Sequence, residues 1–310
     1  MGVFVFLPLI LPLTALPVAR LAEQHLHPRH AARLLTAVTV ILAACSTLCL
    51  GLLMVVGTAQ LPGNPLPDSW SDPEVRAAVP YDEVAGRAAI AALTCVAAGW
   101  ALTLYRHIRF RTCAHRTLAL LPTAAEVAVL PDDAPYAYAL PGSPGRIVLS
   151  TGMFSSLGAR ERGALLAHER SHLRGRHHRL LLAAQLAGCA NPLLRPLRAA
   201  VAYSTERWAD EEAAQATGDR RMTAHAVGRA ALVSRRATAP GLAAFAEAGP
   251  VPRRVAALLA PPPAVNGRPP ALTAAGAATL IAAAGTAAST LSALNAACAL
   301  FLVLEAATPL

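Results

Sequence analysis

Two histidines four residues apart, His168 and His172, enclose a glutamate in the run His168-Glu169-Arg170-Ser171-His172. On a helix, such positions lie about 40 degrees apart around the axis and roughly 6 Å apart along it, so both imidazoles can reach one divalent ion. The intervening Glu169 can then reach a water activated by that ion, which is the chemistry of an HExxH hydrolase using Zn²⁺. Ten histidines and eleven glutamates in the chain also allow such a match by coincidence, so a second feature is required.

That feature is "YSTERWADEEAA", residues 203–214, with Glu206 lying 34 residues beyond His172. Hydrolytic zinc sites hold the metal with three protein ligands, and two histidines with one glutamate form one such set. Glu206 is the expected third ligand. Asp210, one turn later on the same face, could accept the second N–H of a ligating imidazole and fix its orientation. Glu211 and Glu212 read as solvated acids. His177 and His178 read, with Arg170, Arg174, Arg176 and Arg179, as a basic flank, because an unbroken helix turns His177 about half a turn away from His168.

The elements that must carry these residues follow from periodicity. Ala159 to about Gln185 lacks proline and is expected to form one long helix. Before it, "EVAVL" (126–130), "YAYAL" (136–140) and "RIVLS" (146–150) read as short strands separated by Pro/Gly/Asp turns. They are expected to form a small antiparallel sheet. The apolar piece Leu180 to Leu194, broken at Asn191-Pro192, is too short to span a bilayer, and its sequence fits either core or a segment dipping into the membrane.

The composition sets the surroundings. The chain has 310 residues, is 55% hydrophobic and only 15% charged, and is too apolar for an ordinary soluble domain. Its charge of +9 comes from arginine alone, and no nucleic-acid-binding pattern accompanies it, so no direct nucleic-acid partner is expected. The six cysteines form no C-x-x-C pair and read as buried, reduced hydrophobes. Uncharged runs at about 2–19, 34–58 and 88–105, and within 271–304, are candidate transmembrane helices. The first could also be a signal peptide, but it lacks a basic n-region.

Arginines follow the first and third runs (Arg20, Arg29, Arg33; Arg106, Arg109, Arg111, Arg116), whereas acids dominate between the second and third (Asp68, Asp72, Glu74, Asp82, Glu83). Arginine retention on the cytoplasmic side then implies a cell-membrane protein with both termini extracytoplasmic. It divides the chain into a membrane region 1–105, a cytoplasmic domain 106–270 and a C-terminal transmembrane helix 271–310. "PPPAV" and "GRPP" (261–270) read as a stiff linker into that helix.

The order of "YAYALPGSPGRIVLSTGMF", "ALLAHERSHLRGRHH" and "ERWAD" resembles that of gluzincin-type integral-membrane metalloproteases. The nearest likeness is to the antirepressor peptidases of the beta-lactam sensor-transducers BlaR and MecR, with CAAX prenyl and heat-shock membrane proteases as wider relatives. It covers about residues 120–215 closely and the four-span layout loosely. The resemblance implies an α+β membrane protein of about four transmembrane helices. A cytoplasmic zincin-like metalloprotease domain, the small antiparallel sheet plus the HExxH helix, would be inserted before the last of them. It implies Zn²⁺ as cofactor, with His168, His172 and Glu206 as ligands, Glu169 as catalytic base and Asp210 behind the ligands.

It also suggests that the strand Arg146, Ile147, Val148, Leu149 pairs with an extended protein or peptide substrate, and His225 and Tyr203 are candidate oxyanion stabilisers. The expected activity is hydrolysis of a protein substrate at the cytoplasmic face, a winged-helix repressor being one candidate. Housekeeping or CAAX-type proteolysis and a non-catalytic protein with a structural zinc are the rivals. Many relatives have Asp where this chain has His177. The chain ends six residues after Leu304, so no penicillin-binding sensor domain, and no sensing by acylation, is expected.

Overall fold

A computed structural model describes residues 2–64, 66–72, 75, 82–119, 125–234, 250–263 and 273–308. The expected linker at 261–270 therefore lies, from residue 264 on, outside the described residues, as do Glu74 and Arg76 of the acidic loop. The chain opens with 3-10 turns and one short α turn over 2–14, where Pro8 and Pro12 deny the helix its regular hydrogen bonds. It continues as α1 (Ala15–His25), α2 (Pro28–Ala59) and α3 (Asp82–Ala119). Three strands follow: β1 (Val127–Leu130), β2 (Ala137–Leu140) and β3 (Arg146–Ser150). The remainder is α4 (Thr151–Ser156), α5 (Ala159–Arg174), α6 (His177–Ala190), α7 (Arg195–Thr217), α8 (Arg220–Ser234), α9 (Val251–Leu259) and α10 (Ala274–Ala307).

Four segments, Phe4–His25, Pro28–Ala59, Val84–Ala119 and Thr279–Ala307, are helical, long and apolar enough to cross a membrane. They support a multi-pass membrane protein. Exposed leucines and phenylalanines on them, Leu291 and Phe301 among others, are the side chains a bilayer would cover. α2 and α3 meet backbone to backbone at Gly57 and Gly86, where a β-carbon on either would collide with the other helix. Cys45 and Cys49 are buried as expected, but Cys95, Cys113 and Cys298 are exposed.

The sheet is mixed, not antiparallel. Its order is β1-β3-β2, with β3 parallel to β1 and antiparallel to β2. The turn after β2 makes an ordinary hairpin into β3. The Pro131 to Tyr136 connection instead carries the chain past the place β3 takes, so β1 and β2 never pair. This puts β3 in the centre, with Ile147 and Val148 fully buried, and leaves the outer edges of β1 and β2 unpaired among the described residues.

The expected single helix over 159–185 is two helices. Glu161 accepts a hydrogen bond from the Gly158 amide at 2.6 Å and starts α5; Gly175 ends it, and Arg176 adopts a left-handed conformation (φ 51°) that redirects the chain into α6. Any β-carbon on Gly175 would collide with the His177 ring, so the joint needs a residue with no side chain.

Candidate metal centre

α5 and α7 pack against each other and set the chemistry on their facing sides. His168 and His172 project from successive turns of α5, and their Nε2 atoms lie 3.1 Å apart. Glu206, from α7, places Oε2 3.5 Å from His168 Nε2 and Oε1 3.4 Å from His172 Nε2. Ligand atoms around a tetrahedral zinc with bonds near 2.0–2.1 Å stand roughly 3.3 Å apart, so this triangle has the dimensions of one tetrahedral face. His168 and Glu206 are buried, and His172 nearly so. The donor set therefore fits a metal ion.

Both histidines are held from behind. His168 Nδ1 stands 3.1 Å from Asp210 Oδ1, as the spacing on α7 suggests. His172 Nδ1 lies 2.9 Å from His177 Nδ1. His177 is fully buried, not part of a solvated basic flank, because the break at Gly175-Arg176 swings it back beneath His172. Burial above all, then the neighbouring His172, lowers its pKa to about 2, so its ring is neutral and can accept the His172 N–H. The His177 ring packs on Trp208 with centroids 4.4 Å apart. Arg29 and Arg33, at the start of α2, place their guanidinium groups 5.4 and 5.2 Å from the indole centroid, and the indole N–H donates to Glu212 at 2.6 Å.

Arg254 of α9 has no counterpart among the expected site residues. It donates from Nη1 to Glu206 Oε2 at 2.8 Å, and from Nε and Nη2 to the two oxygens of Asp210. Burial alone would raise the pKa of both carboxyls; Arg254 and the histidines outweigh it and hold both below their ordinary range. The next residue back, Arg253, turns the other way to pair with Glu23 of α1 at 2.7 Å. Glu211, expected as a solvated acid, is buried between Arg207 and Arg220, and Glu212 is held by Trp208 and Arg174.

Glu169 is buried beside this cluster and lines the same cleft of about 530 Å³ as His168, His172 and Glu206. Burial, aided by Glu206, raises its pKa to about 7, against the lowering influence of His168 first and then of the Ala139 amide and Arg254. Such a carboxyl is poised to take up and release a proton near neutrality. Against the cost of burial, Asp210 and Glu206 raise the pKa of His168 to about 10, so in the metal-free protein its proton and the Arg254 guanidinium offset the two carboxylates, and a dication would take that proton's place.

Three expectations are corrected. The strand Arg146, Ile147, Val148, Leu149 is paired on both sides and offers no edge to a substrate; among the described residues β1 and β2 are the outer strands, and it is β2 whose Ala137, Tyr138 and Ala139 line the cleft. His225 stands outside the cleft, its ring largely exposed and 2.8 Å from Glu161 at the N-terminus of α5. Tyr203 is buried under the Arg253 guanidinium, 4.3 Å from its ring centroid, and is also absent from the cleft wall. The break after Gly175 was the one sequence signal that could have located His177; nothing in "VPRRVAALL" marks Arg254 as a site residue.

Residues 103–262 match the family described as Peptidase family M48. No curated protein and no solved structure matches the chain at a significant level.

Proposed function

The chain belongs to peptidase family M48, a zinc metallopeptidase family, and from that premise we propose that it is a gluzincin-type membrane endopeptidase acting on protein substrates at the cytoplasmic face. The observation that carries this reading is the buried triangle of His168, His172 and Glu206 with Glu169 in the same cleft. Those three residues would hold the ion. Bound there, zinc supplies Lewis acidity, polarising the scissile carbonyl and acidifying water.

The protein's own groups do the rest. Glu169 takes the proton from the attacking water and returns it to the leaving amine, so the peptide bond is replaced by a carboxyl and an amine with no proton lost. Asp210 and His177 keep the two imidazoles turned with Nε2 inward, and Arg254 holds Glu206 in place. The free edge of β2 is suited to an extended substrate, added as a further strand.

The cytoplasmic face is supported by the arginines after the first and third spans and the acids between the second and third. A winged-helix repressor as the substrate rests only on the likeness of "ERWAD" and its neighbours to antirepressor peptidases. The test is Glu169→Ala in purified full-length protein. The variant should bind one zinc and cleave a protein substrate at least about a hundredfold more slowly; cleavage at the wild-type rate would show the catalytic assignment of Glu169 to be wrong.

A further inference from the structure

The segment joining the two halves of the metal centre is a helical hairpin made of α6, a turn at Asn191–Leu194 and the first turns of α7, uncharged from Leu180 to Leu194 and with Arg195 and Arg198 on its return arm. We propose that this hairpin is re-entrant, entering the bilayer from the side of the metal centre and returning to it, with lipid acyl chains covering its tip. The inference rests on the multi-pass reading but not on the catalytic one.

Topology requires a return. His177 at the start of α6 and Glu206 on α7 both belong to the metal cluster, so both arms begin and end on the same side. No charged residue occurs from Leu180 to Leu194, a stretch too short to cross.

Packing sets the depth. Ala187, Ala190, Leu194 and Val201 share one core with Val18, Leu35, Leu42 and Val96, all within candidate spans. On α3, Trp100 donates its indole N–H to the Leu186 carbonyl at 2.9 Å, and Thr103 Oγ1 lies 3.7 Å from Cys189 Sγ. These contacts fall three to six residues inside Arg106, which at 1.5 Å per residue is roughly 5–10 Å below the charged end of the span.

The tip is wired for a medium without water. Pro12 has no N–H to give the Pro8 carbonyl, and Ser46 Oγ supplies one at 2.7 Å. Asn191 Nδ2 then donates to Ser46 Oγ and to the Leu9 carbonyl, each at 3.0 Å, while its Oδ1 accepts the Leu193 amide. Backbone groups lodged in hydrocarbon require such internal partners. Pro192 and Leu193 remain exposed at the tip; Arg179 marks the mouth of the uncharged run, Arg195 follows the tip directly, and Arg198, one turn further on, lines the cleft.

The test uses the full chain in vesicles of phosphatidylethanolamine and phosphatidylglycerol, with p-benzoylphenylalanine replacing Leu193, Leu291 or Leu232. All three positions are exposed, so none opens a core. After illumination, mass spectrometry should find lipid adducts at 193, as at the span position 291, and none at 232 on α8. Adducts at 291 without any at 193 would overturn the proposal, as would a crosslink between two copies through 193. The inference also predicts that Asn191→Leu, read in unlabelled protein, makes the 180–194 amides exchange faster with deuterium while those of α8 keep their rate; unchanged exchange counts against the proposed polar wiring.

Discussion

Arg254 grips Asp210 through two hydrogen bonds, Nε to Oδ2 at 2.8 Å and Nη2 to Oδ1 at 2.6 Å, with both side chains buried. The two residues are 44 positions apart in sequence, and the pair ties α9 to the back of the metal centre.

Arg254→Ala would leave Glu206 and Asp210 as buried carboxylates without their cation, a change that costs about 3–5 kcal/mol. A bound dication replaces part of the missing charge, so thermal denaturation should show a larger loss in the chelator-treated protein than in the zinc-loaded one. Equal losses in both would disconnect Arg254 from the metal site. Lysine should not restore the wild type, because it lacks the two-pronged geometry.

Glu169 must be ionised to accept a proton, and burial raises its pKa to about 7 in the metal-free protein. A cation bound beside it favours the carboxylate, so the apparent value in the working enzyme is at or below about 7. Lower pH protonates the base, and kcat/KM should therefore fall on the acid side of that point. A pH profile that stays flat down to pH 4.5 would remove Glu169 from the base role.

His177→Ala removes the acceptor behind His172 and should weaken zinc binding about 10- to 100-fold, as loss of such a partner does elsewhere. His177→Asp supplies an acceptor again and should recover most of the affinity. Gly175→Ala, which pushes a β-carbon into the His177 ring, should resemble the alanine variant. Competition with a chelator of known affinity measures all three.

The Ala139 amide sits on the outer edge of β2 and lowers the pKa of Glu169, so Ala139→Pro removes an N–H that points away from β3 and not into the sheet. The fold and zinc content should persist, KM for a protein substrate should rise, and the acid limb should move to higher pH because an amide favouring the carboxylate is lost. An unfolded variant by circular dichroism would show that the amide serves the sheet.

What sequence could disclose here was local. His168, Glu169 and His172 follow from one helical repeat, and Glu206 with Asp210 from another, so the triangle of ligand atoms was legible before any fold was known. The three strands were legible as segments, but their pairing was not: it depends on how a six-residue connection steers β2 away from β1. The burial of His177 was legible only as far as Gly175 hints at a helix end; the left-handed turn at Arg176 that redirects the chain has no signature in residue type. Arg254 was invisible for a different reason: its partners are brought to it only by packing α9 on α7. His225 and Tyr203 were chosen for their chemistry alone, and chemistry without position did not bring them to the cleft.

The core that Ala187, Leu194 and Val201 share with Val18, Leu35 and Leu42 bears on modularity. Residues 106–270 look like a transplantable unit when the chain is cut by hydropathy, yet their inner face is completed by α1 and α2. Severed from those helices, that face would meet water at a cost near 25 cal/mol for each Å² bared. The metal-centre half and the membrane half thus share one core, and each completes the burial of the other.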